Sequence, residues 1–219
     1  MGQKFLFLKK LIKDADRIII NGDFWEGFTM TLEDLLQSEW KQLLELLTTK
    51  DTIYIVGNHD AQARNMHKHF PKMKLVNEKF VFKEGGKRYI VQHGHQYNLT
   101  FQRYLPLHLE DKPTSFAWLV YTYISFERFM IRRLGTWPLQ TTYRIFNREL
   151  KKAIKKEAKK NDIFIFGHTH APEMDMVNQF ANSGIVRHGL GQYLELTEKG
   201  LLLKEVWYHP SKRLFAYLR

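Results

Sequence analysis

A chain of 219 residues is long enough for one domain with a complete core and an elaboration on it. It has no cysteine, which excludes a disulfide framework and thiolate-bound zinc and fits a reducing cytoplasm. The formal net charge of +11 is concentrated, because residues 99–160 hold 13 Lys or Arg against 5 Asp or Glu, a net +8. A local basic field of this size points to an anionic partner: lipid headgroups, nucleic acid or a phosphorylated substrate.

Residues 1–10 carry a short apolar run between lysines, with no signal-peptide h-region and no small-residue cleavage site. No stretch reaches the ~20 apolar residues of a membrane span. The expectation is a cytoplasmic protein, soluble or peripheral on the inner face of a membrane; no residue pattern fixes its oligomeric state.

In residues 5–15, Phe5, Leu8, Leu11 and Ile12 share one helical face and predict a helix leading into the strand Arg17-Ile18-Ile19-Ile20. Residues 31–47 predict a second helix, opened by the cap-like Thr31-Leu32-Glu33-Asp34 and lined by Leu35, Leu36, Leu43, Leu44 and Leu47. The strand Thr52-Ile53-Tyr54-Ile55-Val56 follows, then a hairpin of residues 79–82 and 88–92 about Glu84-Gly85-Gly86-Lys87. Residues 99–160 interrupt the pattern. A structureless loop of that length is implausible in a compact domain, so a helical insertion or cap is expected there, with residues 1–98 and 161–219 forming the main domain. Ile163-Phe164-Ile165-Phe166 predicts a further strand, and short strands near residues 193–196 and 201–206 meet through Lys199-Gly200. Strand and helix alternate, so the fold class is α/β with a mostly parallel sheet.

Four short motifs follow strand-like runs: Asn21-Gly22-Asp23, Gly57-Asn58-His59-Asp60, His93-Gly94-His95 and Gly167-His168-Thr169-His170. Continuous apolar runs read as strands buried on both faces. Ligands of α/β sheets gather beyond the carboxyl ends of such strands. Asp, Asn and His side chains would thus meet in one crevice, and that donor set suits divalent metals.

The order and wording of these motifs resemble the calcineurin-like metallophosphoesterases over residues 5–193, and Asn182-Ser183-Gly184 is similar to the segment after that family's last ligand strand. The resemblance implies a layered sheet sandwich flanked by helices and hydrolysis of a phosphoester or pyrophosphate. It implies two divalent ions, Mn²⁺ favoured, with Fe or Zn compatible with the ligands. Asp23, Asn58, His93 and His168 would form one metal position, with Asp23 able to bridge to a second. His168 and His170 stand two apart and face the same way in an extended stretch, so His170 would ligate the second ion. His59 would stabilise charge on a bound phosphate and protonate the leaving oxygen, with Asp60 orienting its ring. His95 would sit behind the ligands or against substrate. His67, His69, His108, His188 and His209 have no motif around them and read as surface or structural residues.

The family's first strand normally ends in Asp-x-His, and no such motif precedes Asp23; Lys13-Asp14-Ala15-Asp16 lacks the His and lies in the expected helix. The second ion would then keep only Asp23 and His170. An incomplete N-terminus is the simpler explanation, a one-metal or non-catalytic relative the other, and the chain as it stands is expected to hydrolyse poorly.

In the insertion, an aromatic run at residues 116–126 is followed by Arg128, Arg132 and Arg133, and then by Trp137, Tyr143 and Phe146. Lys151, Lys155 and Lys159 recur at four-residue intervals, as do Lys152, Lys156 and Lys160, predicting a basic helical face. Basic residues beside aromatic ones mark an interfacial element, though a helical subdomain with a solvated lysine face would read the same way. A helical insertion in this place looks like that of the UDP-2,3-diacylglucosamine pyrophosphatases, peripheral membrane enzymes of lipid A synthesis. The expected substrate is a lipid-linked nucleotide sugar pyrophosphate at an anionic membrane surface, with Arg132 and Arg133 as substrate contacts. The alternatives are a non-catalytic scaffold and a phosphodiesterase or nuclease, nucleic acid being the less favoured partner.

Overall fold

The structure, a computed structural model, describes residues 2–97 and 117–209. The insertion's first part, with His108 and Phe116, lies outside the described residues. Helix α1 (Gln3–Asp14) buries Phe5 and Ile12 and leads into strand β1 (Arg17–Asn21). β1 pairs in parallel with β2 (Asp51–Ile55), and β2 with β3 (Lys74–Val76), in the order β1-β2-β3. β2 is buried along nearly its whole length. β1 is only half-buried, contrary to the buried run expected, because among the described residues it is the edge of its sheet with a neighbour on one side.

The single helix expected over residues 31–47 is two: α2 (Leu32–Gln37) and α3 (Lys41–Leu47). Thr31 and Asp34 do form a reciprocal capping box at the start. Ser38 breaks the run. Its hydroxyl donates to the Leu35 carbonyl at 2.7 Å and accepts from the Trp40 amide at 3.2 Å, while its backbone turns extended. A serine able to satisfy backbone groups locally competes with the helix in this way. Both helices still face one core, where Leu35, Leu43, Leu44 and Leu47 pack with Phe5, Tyr54 and Met66.

A second sheet has the order β4 (Lys79–Glu84), β5 (Lys87–Gln92), β6 (Asp162–Phe166), β8 (Phe180–Asn182), β7 (Glu173–Asp175). Its centre, β5-β6-β8, is parallel; β4 and β7 pair antiparallel at its edges. A third sheet, β9 (Val186–Arg187), β10 (Leu190–Thr197) and β11 (Gly200–Trp207), is wholly antiparallel. The expectation of a mostly parallel sheet is therefore corrected to three sheets of differing strand direction. They share a core in which Ile53 and Ile55 of β2 meet Tyr89, Val91, Ile163 and Ile165 of the second sheet, with Leu194 and Leu196 of β10 beside them. The result is the α/β layered sandwich with flanking helices.

From the segment expected to be an insertion, α4 (Ala117–Leu134) and α5 (Trp137–Ile154) are described. α5 is built into the main core: Leu150 and Ile154 pack against Ile90, Phe164, Phe166 and Phe180 on the outer face of the second sheet. The basic helical face is shorter than expected, since α5 ends at Ile154 and Lys155, Lys156, Lys159 and Lys160 lie beyond it. Lys151 is drawn down to Glu173 at 2.6 Å and Asp175 at 2.9 Å. Among the described residues no helix is long and apolar enough to cross a membrane.

Candidate metal centre

β1, β2, β5 and β6 all deliver their carboxyl ends to one place. After β1 the chain turns through Gly22 at φ 76° and Asp23 at φ 54°, both left-handed. This swings the Asp23 carboxylate across to the loop after β2, where it lies against the Cα of Gly57. A Cβ at Gly57 would collide with Asp23 Oδ1, so this crossing requires glycine. His93, at the end of β5, donates from Nδ1 to the Asn21 carbonyl at 2.7 Å, which turns Nε2 inward. Fixing one ring nitrogen by a backbone carbonyl is how a liganding histidine is oriented.

His93 Nε2 stands 3.0 Å from Asp23 Oδ2, 3.2 Å from Asn58 Oδ1 and 3.2 Å from His168 Nδ1. Donor atoms of Asp23, His93 and His168 all lie within 4.8 Å of one another. Bonds of about 2.1 Å to a shared ion put neighbouring donors about 3 Å apart, so the spacing fits a coordination shell. A set of carboxylate, amide oxygen and imidazoles also fits a divalent cation.

The electrostatics fit as well. Burial penalises the Asp23 charge, but His93 and His59 outweigh it and hold the carboxyl well below its ordinary value. Burial likewise opposes a proton on His93, yet Asp23 and the Asn21 carbonyl raise its pKa. His168 is driven well down, first by burial and then by the charge of His93, leaving a neutral imidazole. His95, in a short 3₁₀ turn (His95–Tyr97), has its ring 5.4 Å from that of His93 and 6.3 Å from that of His168. Burial and His93 pull it down to about 4, and its Nδ1 is buried with no hydrogen-bond partner among the described residues. It stands beside His93 and His168 as a neutral ring.

His59 borders the centre. Its backbone amide donates to Asp23 Oδ1 at 2.9 Å, and its ring stands edge-on to Phe28. Burial lowers its pKa, but Asp23 and Glu26 more than compensate and raise it to about 9. The group orienting the ring is not Asp60, and that expectation is corrected. Glu26 Oε1 takes the ring Nδ1 at 2.7 Å. Asp60 is fully buried and points away; its Oδ2 accepts from the Phe24 amide at 2.8 Å and the Tyr54 hydroxyl at 2.5 Å, its Oδ1 from the Gly57 amide at 2.7 Å. Burial and the nearby Asp23 push it up to about 6. Asp60 thus pins the loop after β1 to the loop after β2.

His170 is not brought to the cluster of Asp23, Asn58, His93 and His168. The backbone after His168 is a turn, closed by the His170 amide on the Gly167 carbonyl at 3.1 Å with His170 at φ 57°, so the extended geometry expected of this pair does not hold. Its Nδ1 lies 3.8 Å from Glu127, and its ring is edge-on to Tyr143. Thr169 and Asn182 are buried beneath, in a network where Thr169 donates to Asn147 at 2.5 Å and Asn182 to Thr169 at 2.9 Å. Arg132 reaches His209 at 3.1 Å, and Arg133 is exposed on the same end of α4. The residues that sequence reasoning missed are Glu26, Glu127, Arg187 and His188. None belongs to a motif, and Glu127 sits inside the segment read as basic.

The family model for calcineurin-like phosphoesterases matches residues 3–172, and the chain belongs to that family of metal-dependent hydrolases acting on phosphoester bonds. No curated protein gives a match.

Proposed function

We propose that the chain hydrolyses a phosphoester or pyrophosphate bond in an amphiphilic substrate, with a lipid-linked nucleotide sugar such as UDP-2,3-diacylglucosamine favoured, at an anionic membrane surface. The observation carrying the chemistry is the convergence of Asp23, Asn58 and His168 on His93 Nε2 at 3.0–3.2 Å. These four residues would hold one divalent ion, Mn²⁺ favoured and Fe or Zn compatible; a second ion beside Asp23 remains part of the proposal, and His170 would have to turn from Glu127 to reach it. Bound divalent metal supplies Lewis-acid stabilisation of phosphoryl oxygens and acidifies water at neutral pH. His59, with Nδ1 engaged by Glu26, presents Nε2 as the remaining ring nitrogen, and its raised pKa keeps a proton there for the leaving oxygen.

The lipid part rests on α4. Trp118, Phe126, Phe129 and Arg133 share one side of this helix and are exposed, Trp118 at 63%. Trp137, at the start of α5, is 76% exposed. Aromatic groups beside Arg128 and Arg133 suit an interface with anionic headgroups, each such charge contributing about 1 kcal/mol.

The test combines Mn²⁺ binding by electron paramagnetic resonance with hydrolysis of an aryl phosphodiester and of UDP-2,3-diacylglucosamine. We expect binding to be lost in Asn58→Ala and His93→Ala, and turnover to vanish with chelator. Turnover that survives both chelation and Asn58→Ala would refute the mechanism. Vesicle co-sedimentation of wild type, Trp118→Ala and Arg133→Glu decides the membrane reading, and indifference to lipid charge and to both substitutions would remove it. Cleavage of soluble diesters or nucleic acid alone would remove the lipid substrate and leave the metal chemistry intact.

A further inference from the structure

A second concentration of ionisable groups lies where the insertion meets the main domain. Glu127 is fully buried on the inward side of α4. Its Oε2 stands 2.8 Å from His188 Nε2 and 3.2 Å from Arg187 Nη1, and its Oε1 accepts from the Tyr123 hydroxyl at 3.4 Å. Burial opposes this charge, but His170, His188 and Arg187 outweigh it and keep the carboxylate ionised. Arg187 has a second engagement: its Nη2 lies 3.5 Å from Glu26 Oε2. Glu26, in turn, holds His59 through its other oxygen at 2.7 Å. One guanidinium therefore stands between a carboxylate of the insertion and the carboxylate that orients His59.

The physical consequence follows from cost and shape. A buried carboxylate left without its partner is expensive, so Glu127 holds Arg187 in place for as long as α4 is seated. A guanidinium is planar and rigid, so fixing one of its nitrogens aims the other. The aimed nitrogen meets Glu26, and Glu26 has one oxygen for Arg187 and one for His59. The weakest link is the 3.5 Å contact, which acts as an electrostatic anchor rather than a close hydrogen bond.

We infer that Arg187 is a positioning residue for His59, acting through Glu26, and that Glu127 makes this positioning depend on the seating of α4. The inference rests on His59 being the proton donor to the leaving group. It assigns the insertion a part in turnover as well as in holding substrate: with α4 displaced, Glu127 leaves, Arg187 loses its buried anchor and the His59 ring is released.

The test compares wild type, Arg187→Gln, Arg187→Lys, Glu127→Gln and His59→Asn on two phosphodiesters, one with a p-nitrophenyl leaving group and one with an alkyl leaving group. A poor leaving group needs the proton, a good one does not. Arg187→Gln should lower kcat on the alkyl ester by roughly 10- to 100-fold more than on the p-nitrophenyl ester, with KM and Mn²⁺ binding little changed. Arg187→Lys, which keeps the charge but not the fork, should recover part of the loss, and Arg187→Gln should add nothing in a His59→Asn background. Equal losses on both esters, or additive losses with His59→Asn, would overturn the inference. A second arm does not depend on turnover. In a ¹⁵N-histidine spectrum at one pH, with the His59 ring signal assigned by its absence in His59→Asn, Glu127→Gln should shift that signal although the two residues do not touch. An unmoved signal refutes the coupling. If wild type cleaves neither ester, the role of His59 falls while the spectrum still decides the coupling.

Discussion

The sharpest consequence of the site geometry concerns Asp60. A carboxylate next in sequence to His59 invites the reading of a catalytic pair, but its oxygens serve the Phe24 amide in a part-buried bond and the Tyr54 hydroxyl and Gly57 amide in buried ones. Replacing it by alanine leaves three donors unpaired, two of them buried and one part-buried, at roughly 1–2 kcal/mol each, or about 3–6 kcal/mol. Relief of the carboxylate's own burial, which already holds its pKa up at about 6, offsets part of this, and about 2–4 kcal/mol of lost stability remains. Asp60→Asn keeps the shape and one acceptor oxygen, and Tyr54 can turn to accept from the new amide. Its principal loss is one backbone partner, and it should cost about 1–2 kcal/mol. The assay is urea unfolding in chelator, where bound metal cannot mask the loss, together with turnover at saturating Mn²⁺. Glu26→Gln provides the contrast: little change in stability, but selective loss of activity on poor leaving groups. If Asp60→Ala unfolds within about 0.5 kcal/mol of wild type while its turnover collapses, Asp60 acts through His59 after all and the structural assignment is wrong.

Three further outcomes are expected. Gly57→Ala should fold but bind Mn²⁺ roughly 10- to 100-fold more weakly, because the new Cβ displaces the Asp23 carboxylate; an unchanged affinity in the resonance titration would contradict the close crossing of Asp23 over Gly57. Mn²⁺ affinity should rise with pH, because His93 must surrender a proton that Asp23 stabilises, its pKa being raised in the metal-free protein. The proton competes with the cation below that raised value, and a titration flat between about pH 6 and pH 8 would refute it. Leu150→Ala should cost about 2–5 kcal/mol in urea unfolding, since the side chain is fully buried between α5 and the second sheet; a loss below about 1 kcal/mol would mean that α5 is not part of that core.

Elements with a sustained period are legible in the residues themselves: the apolar face of α1, the β4–β5 hairpin about its glycine pair, and the buried run of β6. β3, β7, β8 and β9 are not, because two or three residues carry no period to read. The split between α2 and α3 is hidden for another reason. The leucine spacing continues through both helices, and only the hydroxyl of Ser38, bonded to backbone on either side, diverts the chain. The four residues of the candidate centre are readable because each follows a strand end, so that placing the strand places the side chain. The direction of His170 depends on a left-handed backbone angle that residue identity does not disclose.

The insertion shows a different failure, one of averaging. A net +8 over residues 99–160 reads as a basic cap and says nothing about which side of a helix each charge occupies. On α4 the two sides differ in kind. Trp118, Phe126, Phe129 and Arg133 turn outward, whereas Glu127 and Ile131 turn inward and are buried. At about 100° per residue Glu127 falls nearly opposite Trp118, so the separation is present in the spacing. The informative residue is the lone acid on the inward side of a basic, aromatic helix, because an acid survives burial there only if cations wait for it. Its partners, the Arg187 cation and the His188 ring, come from the end of β9 and the residue after it, 60 and 61 positions later in the chain. Charge counting locates a field, whereas the side of the helix on which the exceptional charge falls locates a contact. Here that contact ties the insertion to the residue that holds His59.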